Sequence, residues 1–410
     1  MTMAGALDGL RVLDMSRVLA GPWAGQVLAD LGADVVKVER PGQGDDTRAW
    51  GPPWVGDGAG SDGGESAYFA CANRNKRSIA IDITSAEGQD LVRRLAAQAD
   101  ILIENYKVGG LAEYGLDYRS LRRVNPRLIY CSITGFGQTG PYAKRPGYDA
   151  LIQAMGGLMS ITGRADREPG AGPQKVGVAL TDVLTGLYGV IGILAALQHR
   201  ERSGDGQQID LALLDVQVAC LANQAMNYLV GGAAPERMGN AHPNIAPYQD
   251  FPTADGHMIL AIGNDGQFRR FCDEAGHGAW ADDERFATNP MRVKHRDELI
   301  ARIAAVTTTR TTASWVESLE AAGVPCGPIN RIDAVFEDPQ VVARGLRVEL
   351  ACPSGAAIPM VASPLRLSAT PVSYRSPPPG LDRDRTTILQ DWLGDRLTGD
   401  EAVLSRHGSL

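Results

Sequence analysis

The order of hydrophobic and polar positions predicts alternating strands and helices over the first half of the chain. Arg11–Ser16 is a short apolar run, and Pro22–Leu31 has the spacing of a helix, with Pro22 placed for its first turn and Gly32 as its stop. Asp34–Glu39 is a second apolar run, so residues 11–39 read as strand–helix–strand with a right-handed parallel crossover. The same pattern predicts strands at 79–83, 101–106, 128–133 and 208–212, and helices at 66–73, 86–99, 117–124 and 149–160. The longest apolar stretch, 183–197, follows a lone carboxylate, Asp182, and predicts a buried helix. It is too short for a membrane-spanning helix and is interrupted by glycines.

From residue 231 the texture changes. A Gly/Asn/Pro loop leads to paired-strand candidates at 248–252 and 257–262, then helices near 265–275, 282–288, 291–306 and 311–322. The expected fold is α/β: an open parallel Rossmann-like domain of residues 1–225, completed by a return segment 331–410, and a smaller α+β domain of 226–330. Within the return, 346–370 predicts short strands and 385–394 a helix.

Composition changes this picture little. Of 410 residues 44% are hydrophobic and 21% charged, as in ordinary globular chains. The net charge of −8 argues against nucleic acid as the main partner. The six cysteines form no C-x-x-C pair, and no His follows at metal-ligand spacing, so reduced thiols and no metal are expected. The N-terminus lacks a basic n-region and an apolar h-region, which predicts a cytoplasmic protein.

In an open parallel sheet, ligands bind outside the carboxyl ends of the strands. Those ends are Met15–Ala20, Arg40, Asn105–Lys107 and Thr134–Gly137. The first turn is not G-x-G-x-x-G, so the dinucleotide fingerprint is absent. Asp182 has two readings on pattern alone. It caps the helix that follows, or it is a nucleophile held at the helix mouth. His242 is as readily a surface loop residue as a ligand contact.

The stretches L-D-G-L-R-V-L-D at 7–14, L-G-A-D-V-V-K-V-E at 31–39, N-R-N-K-R-S-I-A-I-D at 73–82, G-F-G-Q-T-G-P-Y at 135–142 and V-A-L-T-D at 178–182 resemble the class III CoA-transferases, the CaiB/BaiF group. The resemblance covers about the whole chain and is weakest after residue 370. It implies Asp182 as the nucleophile and coenzyme A, carried in as acyl-CoA, as the ligand. It places Arg17, Val18, Leu19, Ala20, Arg40, Ile81, Asn105, Tyr106 and Lys107 along the CoA site, and Gly135, Phe136 and Gly137 beside the thioester. Glu113 stands where some members carry a basic residue, which leaves Lys107 for a phosphate. Tyr148, His242 and Asn244 are implied near the acyl or acceptor group.

The resemblance further implies an interlocked homodimer. α-Methylacyl-CoA racemases share the fold but carry G-H-D where this chain has Gly147-Tyr148-Asp149, so the second base of a two-base proton exchange is missing. Transfer of CoA from a donor such as succinyl-CoA to a carboxylic acid is therefore the expected activity, ahead of racemisation or of CoA-ester binding without catalysis. Oxyanion donors are expected at the helix start near Asp182 or in the 135–137 loop.

Overall fold

The computed structural model describes residues 5–55, 65–352 and 357–394. Its larger unit is a six-stranded parallel sheet. In chain order come β1 (Arg11–Asp14), α1 (Ala20–Asp30), β2 (Asp34–Glu39), the short α2 (Ala67–Ala70), β3 (Lys76–Ala80), α3 (Ala86–Ala96), β4 (Ile101–Glu104), α4 (Tyr118–Val124), β5 (Ile129–Thr134), α5 (Asp149–Met155), α6 (Leu158–Ile161), α7 (Leu180–Ser203) and β6 (Gln208–Ala212). The sheet order is β3-β2-β1-β4-β5-β6, so the direction of winding reverses between β1 and β4. That reversal opens a crevice at the carboxyl ends of these two strands.

Because strand side chains alternate between faces, neighbouring residues of β1 enter different cores. Leu13 joins Val36, Ile79, Leu102 and Tyr130 under α3 and α4. Val12 joins Val35, Ile101 and Ile129 under α1 and α7. Both faces are covered, which is why these strands are nearly continuous apolar runs.

α7 is longer than the 183–197 run suggested. It has 24 residues, long and apolar enough by length and composition to cross a membrane. Here Val190, Ile193 and Leu197 pack it against the sheet. It ends at Gly204, whose left-handed backbone (φ 80°) turns its N–H back to Arg200 O. Gly186 marks where α7 meets α1, since a Cβ there would lie 2.6 Å from Ala20 O and 3.1 Å from Trp23 Cβ.

β3 starts three residues earlier than expected. Lys76 is fully buried, because its Nζ donates to Asp14 Oδ2 (2.9 Å), Pro22 O (2.8 Å) and Asn73 Oδ1 (2.9 Å). The outer edge of β3 is closed by the C-terminal segment. Ser78 N–H donates to Asp384 Oδ2 (2.9 Å) and Ala80 N–H to Asp382 Oδ1 (2.8 Å), so aspartates take the place of a seventh strand.

After β6 follow α8 (Leu213–Ala219) and α9 (Ala222–Gly231), then β7 (Tyr248–Pro252), β8 (His257–Ala261), α10 (Asp265–Glu274), α11 (Asn289–Lys294), α12 (Arg296–Thr307), α13 (Thr312–Ala321), β9 (Cys326–Pro328), α14 (Ile332–Glu337) and α15 (Pro339–Ala343). The chain closes with the hairpin β10 (Arg347–Ala351) and β11 (Ala357–Val361) and with α16 (Arg385–Leu393), whose Ile388, Leu389 and Trp392 enter the α3-side core.

The smaller unit comprises 158–175 and 226–339, so 158–175 and 331–339, expected in the larger domain, belong to the smaller one. Its antiparallel β7-β8-β9 sheet holds Phe251, Met258 and Leu260 against Phe268, Phe271 and Trp315. No helix forms over 282–288. Asp283 instead accepts from the Arg285 amide (2.9 Å) and guanidinium, a local bond that competes with helix.

Replacing Gly186 with Ala should force α7 and α1 apart. The expected loss is about 1–3 kcal/mol of unfolding free energy, read as a lower urea midpoint.

Candidate active site

The site is built from loops at the carboxyl ends of β1 and β4. After β1 the chain turns through Arg17–Ala20, and Val18 sits at φ 71°, a costly conformation for a β-branched residue. Its N–H donates to both oxygens of Asp45, at 3.3 Å each. Asp45 is held by Lys37 Nζ at 2.8 Å, with both side chains fully buried. Burial alone would raise the Asp45 pKa. Lys37 and the bonds from Thr47 outweigh burial and bring it down to about 2. Lys37 Nζ also donates to Ser16 O (2.8 Å), so one cation fixes both flanks of the turn.

Asn105, just past β4, completes the clamp. Its Oδ1 accepts from Arg17 N–H (2.9 Å) and its Nδ2 donates to Arg17 O (2.7 Å), as a neighbouring strand would. The next residue is fixed by Glu104, which accepts from Tyr106 N–H (2.7 Å) and from the Ser132 hydroxyl. Burial, against those two bonds, pushes the Glu104 carboxyl up to about 7.

Two clefts of about 340 and 290 Å³ open on this framework and share Arg17, Tyr106 and Lys107. The first also contains Arg40, Ile81 and Glu113. The second contains Val18, Leu19, Ala20, Asn105, Gly135, Tyr148 and Asp182. Together they form a groove that carries Arg17, Arg40 and Lys107 and ends at the Asp182 carboxylate. Arg17 stacks over Tyr106 (5.4 Å) and pairs with Asp46 (3.2 Å), and its Nε is buried with no acceptor among the described residues. Phe136 and Gly137 stand behind Gly135 rather than on the cleft wall. Phe136 is buried, and Gly137 N–H is taken by Thr134 Oγ1 (2.9 Å).

Asp182 lies in the first turn of α7 and is half-buried. It does not cap the helix. Asp149, the first residue of α5, does so: its Oδ2 accepts from Thr181 N–H (2.9 Å) and Asp182 N–H (3.3 Å). Leu180 N–H goes to Val178 O and Val183 N–H to Ala179 O, so the helix start has no amide left for an oxyanion. Of the two expected sources, only the 135–137 loop remains, where Phe136 N–H has no acceptor among the described residues.

The helix terminus does not hold Asp182 ionised either. Burial, helped by the charge of Asp149, pushes its pKa up to about 7. Tyr68 of α2 also faces this pair. Burial and then the Asp182 charge raise its phenol to about 12.

His242 and Asn244 belong to the smaller unit, in the loop before β7. His242 Nδ1 accepts from Asn244 N–H (3.1 Å), and Asn244 Oδ1 accepts from Asn227 Nδ2 (3.2 Å). Burial and the nearby Arg296 lower the His242 pKa.

Sequence reasoning missed Asp149, Tyr68 and Arg145, the last of which lines the second cleft with its guanidinium over Tyr142 (4.6 Å). A signal existed only for Asp149, in the Gly147-Tyr148-Asp149 motif, where attention went to the tyrosine.

The sequence model of CoA-transferase family III matches residues 7–385. A succinate–glutarate CoA-transferase of Agrobacterium fabrum (strain C58) is 56% identical over 385 residues, 94% of this chain and 95% of that protein. The human succinyl-CoA:glutarate CoA-transferase is 43% identical over 396 residues, 96% of this chain and 88% of its own. A crystal structure of a CaiB/BaiF family protein from Brucella suis superimposes with a TM-score of 0.83 at 51% identity, covering 95% of this chain and all of that one (100%).

A carboxyl whose folded pKa is about 7 against an ordinary value of 3.8 destabilises the fold once the unfolded form ionises. The penalty is absent below pH 4, grows as pH rises and is complete above pH 7. Asp182→Asn should therefore raise the melting temperature, and by more at pH 8 than at pH 5, measured by thermal denaturation of both proteins.

Proposed function

Because the chain belongs to CoA-transferase family III, we infer that it moves CoA from succinyl-CoA to a dicarboxylic acid of about glutarate's size through a covalent intermediate on Asp182. The observation that carries this reading is the half-buried Asp182 carboxylate at the end of a groove lined by Arg17, Lys107 and Arg40. The cations suit the phosphates of CoA. Neither Arg40 nor Lys107 has an acidic partner among the described residues, so both are free to pair with a ligand.

The ionised Asp182 attacks the donor thioester, giving a mixed anhydride and CoA thiolate. The thiolate attacks the aspartyl carbonyl, which releases the donor acid as a carboxylate and leaves an aspartyl-CoA thioester. The acceptor carboxylate attacks that thioester and expels the thiolate, which then attacks the acceptor carbonyl. A new acyl-CoA leaves and the Asp182 carboxylate is restored. One thioester replaces another, so no ATP is consumed and no metal is required by the steps.

Burial makes the carboxylate a better nucleophile by stripping its water, at the cost of protonating it below pH 7. The Gly135 backbone lines the same cleft as Asp182, and its N–H is the candidate donor for the tetrahedral oxyanions. Tyr148 in place of an imidazole disfavours racemisation.

The reading extends to a cytoplasmic homodimer. Free thiols among the described residues suit a reducing compartment. The exposed Tyr188 and Ile191 of α7 and Leu229 and Val230 of α9 suit surfaces covered by a second copy.

Asp182→Ala should abolish succinyl-CoA:glutarate transfer while CoA binding by calorimetry persists, and hydroxylamine should label Asp182 only after incubation with acyl-CoA. Turnover by Asp182→Ala would refute the assignment. Arg40→Ala and Lys107→Ala should each raise the acyl-CoA KM about tenfold, with kcat nearly unchanged, as expected for lost uniform binding worth about 1.4 kcal/mol.

A further inference from the structure

The nucleophile does not hold its own position. Its helix begins without a capping side chain of its own, since Ala179 occupies the cap position. The oxygen that fixes the first turn comes from another helix, at Asp149 Oδ2. The other oxygen of that carboxylate, Oδ1, accepts from Gln153 Nε2 at 2.6 Å. Gln153 is fully buried, and its Oε1 accepts from Val176 N–H at 2.9 Å, in the segment that leads into α7. Thr181 is fixed a second time by its hydroxyl, which donates to Gln217 Oε1 at 2.6 Å. The turn that carries Asp182 is thus tied to α5 through one carboxylate with both oxygens engaged.

We propose that Asp149 is a positioning residue for Asp182: its carboxylate locks the first turn of α7 so that the nucleophile faces the groove, and it brings a second negative charge beside that nucleophile. The proposal rests on the nucleophile reading of Asp182. Two carboxylates on one helix start repel, and Asp149 is named after burial as a cause of the raised Asp182 pKa. Tyr148 lines the same cleft, and Tyr68 also faces the pair; its phenol, raised to about 12 by burial and then by Asp182, stays neutral across the working range. The charged groups lining the same cleft are Arg17, Asp46, Lys107 and Arg145. Asp149 itself makes no step of the reaction.

Two substitutions separate the roles. Asp149→Asn keeps an acceptor for the Thr181 and Asp182 amides and removes the charge. Asp149→Ala removes both. Full pH profiles of kcat/KM report the free enzyme's essential base. The acid limb of Asp149→Asn should move down by about half a unit to one unit, because Asp182 then ionises at lower pH. Asp149→Ala should lose about 10- to 100-fold in kcat with the acyl-CoA KM changed by less than about threefold, the signature of a misplaced reacting group. A limb of Asp149→Asn that coincides with wild type overturns the proposal, as does wild-type kcat in Asp149→Ala. If the alanine variant does not fold, the limb of the asparagine variant decides alone. Failure of hydroxylamine to label Asp182 in the wild-type enzyme would instead refute the nucleophile reading itself, so the two failures are distinguishable.

Discussion

The Lys37–Asp45 ion pair is the constraint from which the groove follows. The turn after β1 contains a valine in the left-handed region, and such a turn does not hold itself. Lys37, from the middle of β2, reaches the Ser16 carbonyl on one side and Asp45 on the other, and Asp45 takes the Val18 amide. Both charges are fully buried, so removing either partner would leave an uncompensated ion in the interior. That arrangement is intolerant of change, which suits a loop whose backbone must meet a ligand in one geometry. Asn105 then repeats the logic with an amide where Lys37 uses a charge.

The far end of the groove follows the opposite principle. Around Asp45 every contact favours the ionised carboxyl, and its pKa falls to about 2. Around Asp182 burial and a like charge disfavour ionisation, and it rises to about 7. The same residue type is held ionised in one place and pushed toward protonation in the other, by environment alone. Asp149 belongs to both descriptions, since it stabilises a helix start and destabilises the charge beside it.

Much of this architecture was legible in the sequence. Parallel strands covered on both faces appear as apolar runs, so the β-α-β alternation and the strand ends Arg17–Ala20, Arg40 and Asn105–Lys107 could be placed before the fold was known. What escaped depends on partners far apart in the chain. Lys76 is polar, and a polar residue signals the end of a strand unless its acceptors, Asp14 and Asn73, are known. The capping role read at Asp182 belongs to Asp149, 33 residues earlier, because a carboxylate in the first turn and one reaching in from another helix leave the same trace in sequence. Arg145 sits in a segment with no periodicity to orient it, and the short helix expected around Tyr68 does not say which carboxylates it would face.

The closure of the β3 edge by Asp382 and Asp384 bears on how the chain reaches its native state. The sheet is assembled from residues 11–212, yet the groups that satisfy its outer strand, and α16, which fills the α3-side core with Ile388, Leu389 and Trp392, are synthesised more than 150 residues later. During translation the large unit therefore passes through a stage with an unpaired strand edge and an open apolar face, both sources of misassociation. Residues 382–392 therefore belong to the completion of the sheet, and damage there would act first as a folding defect.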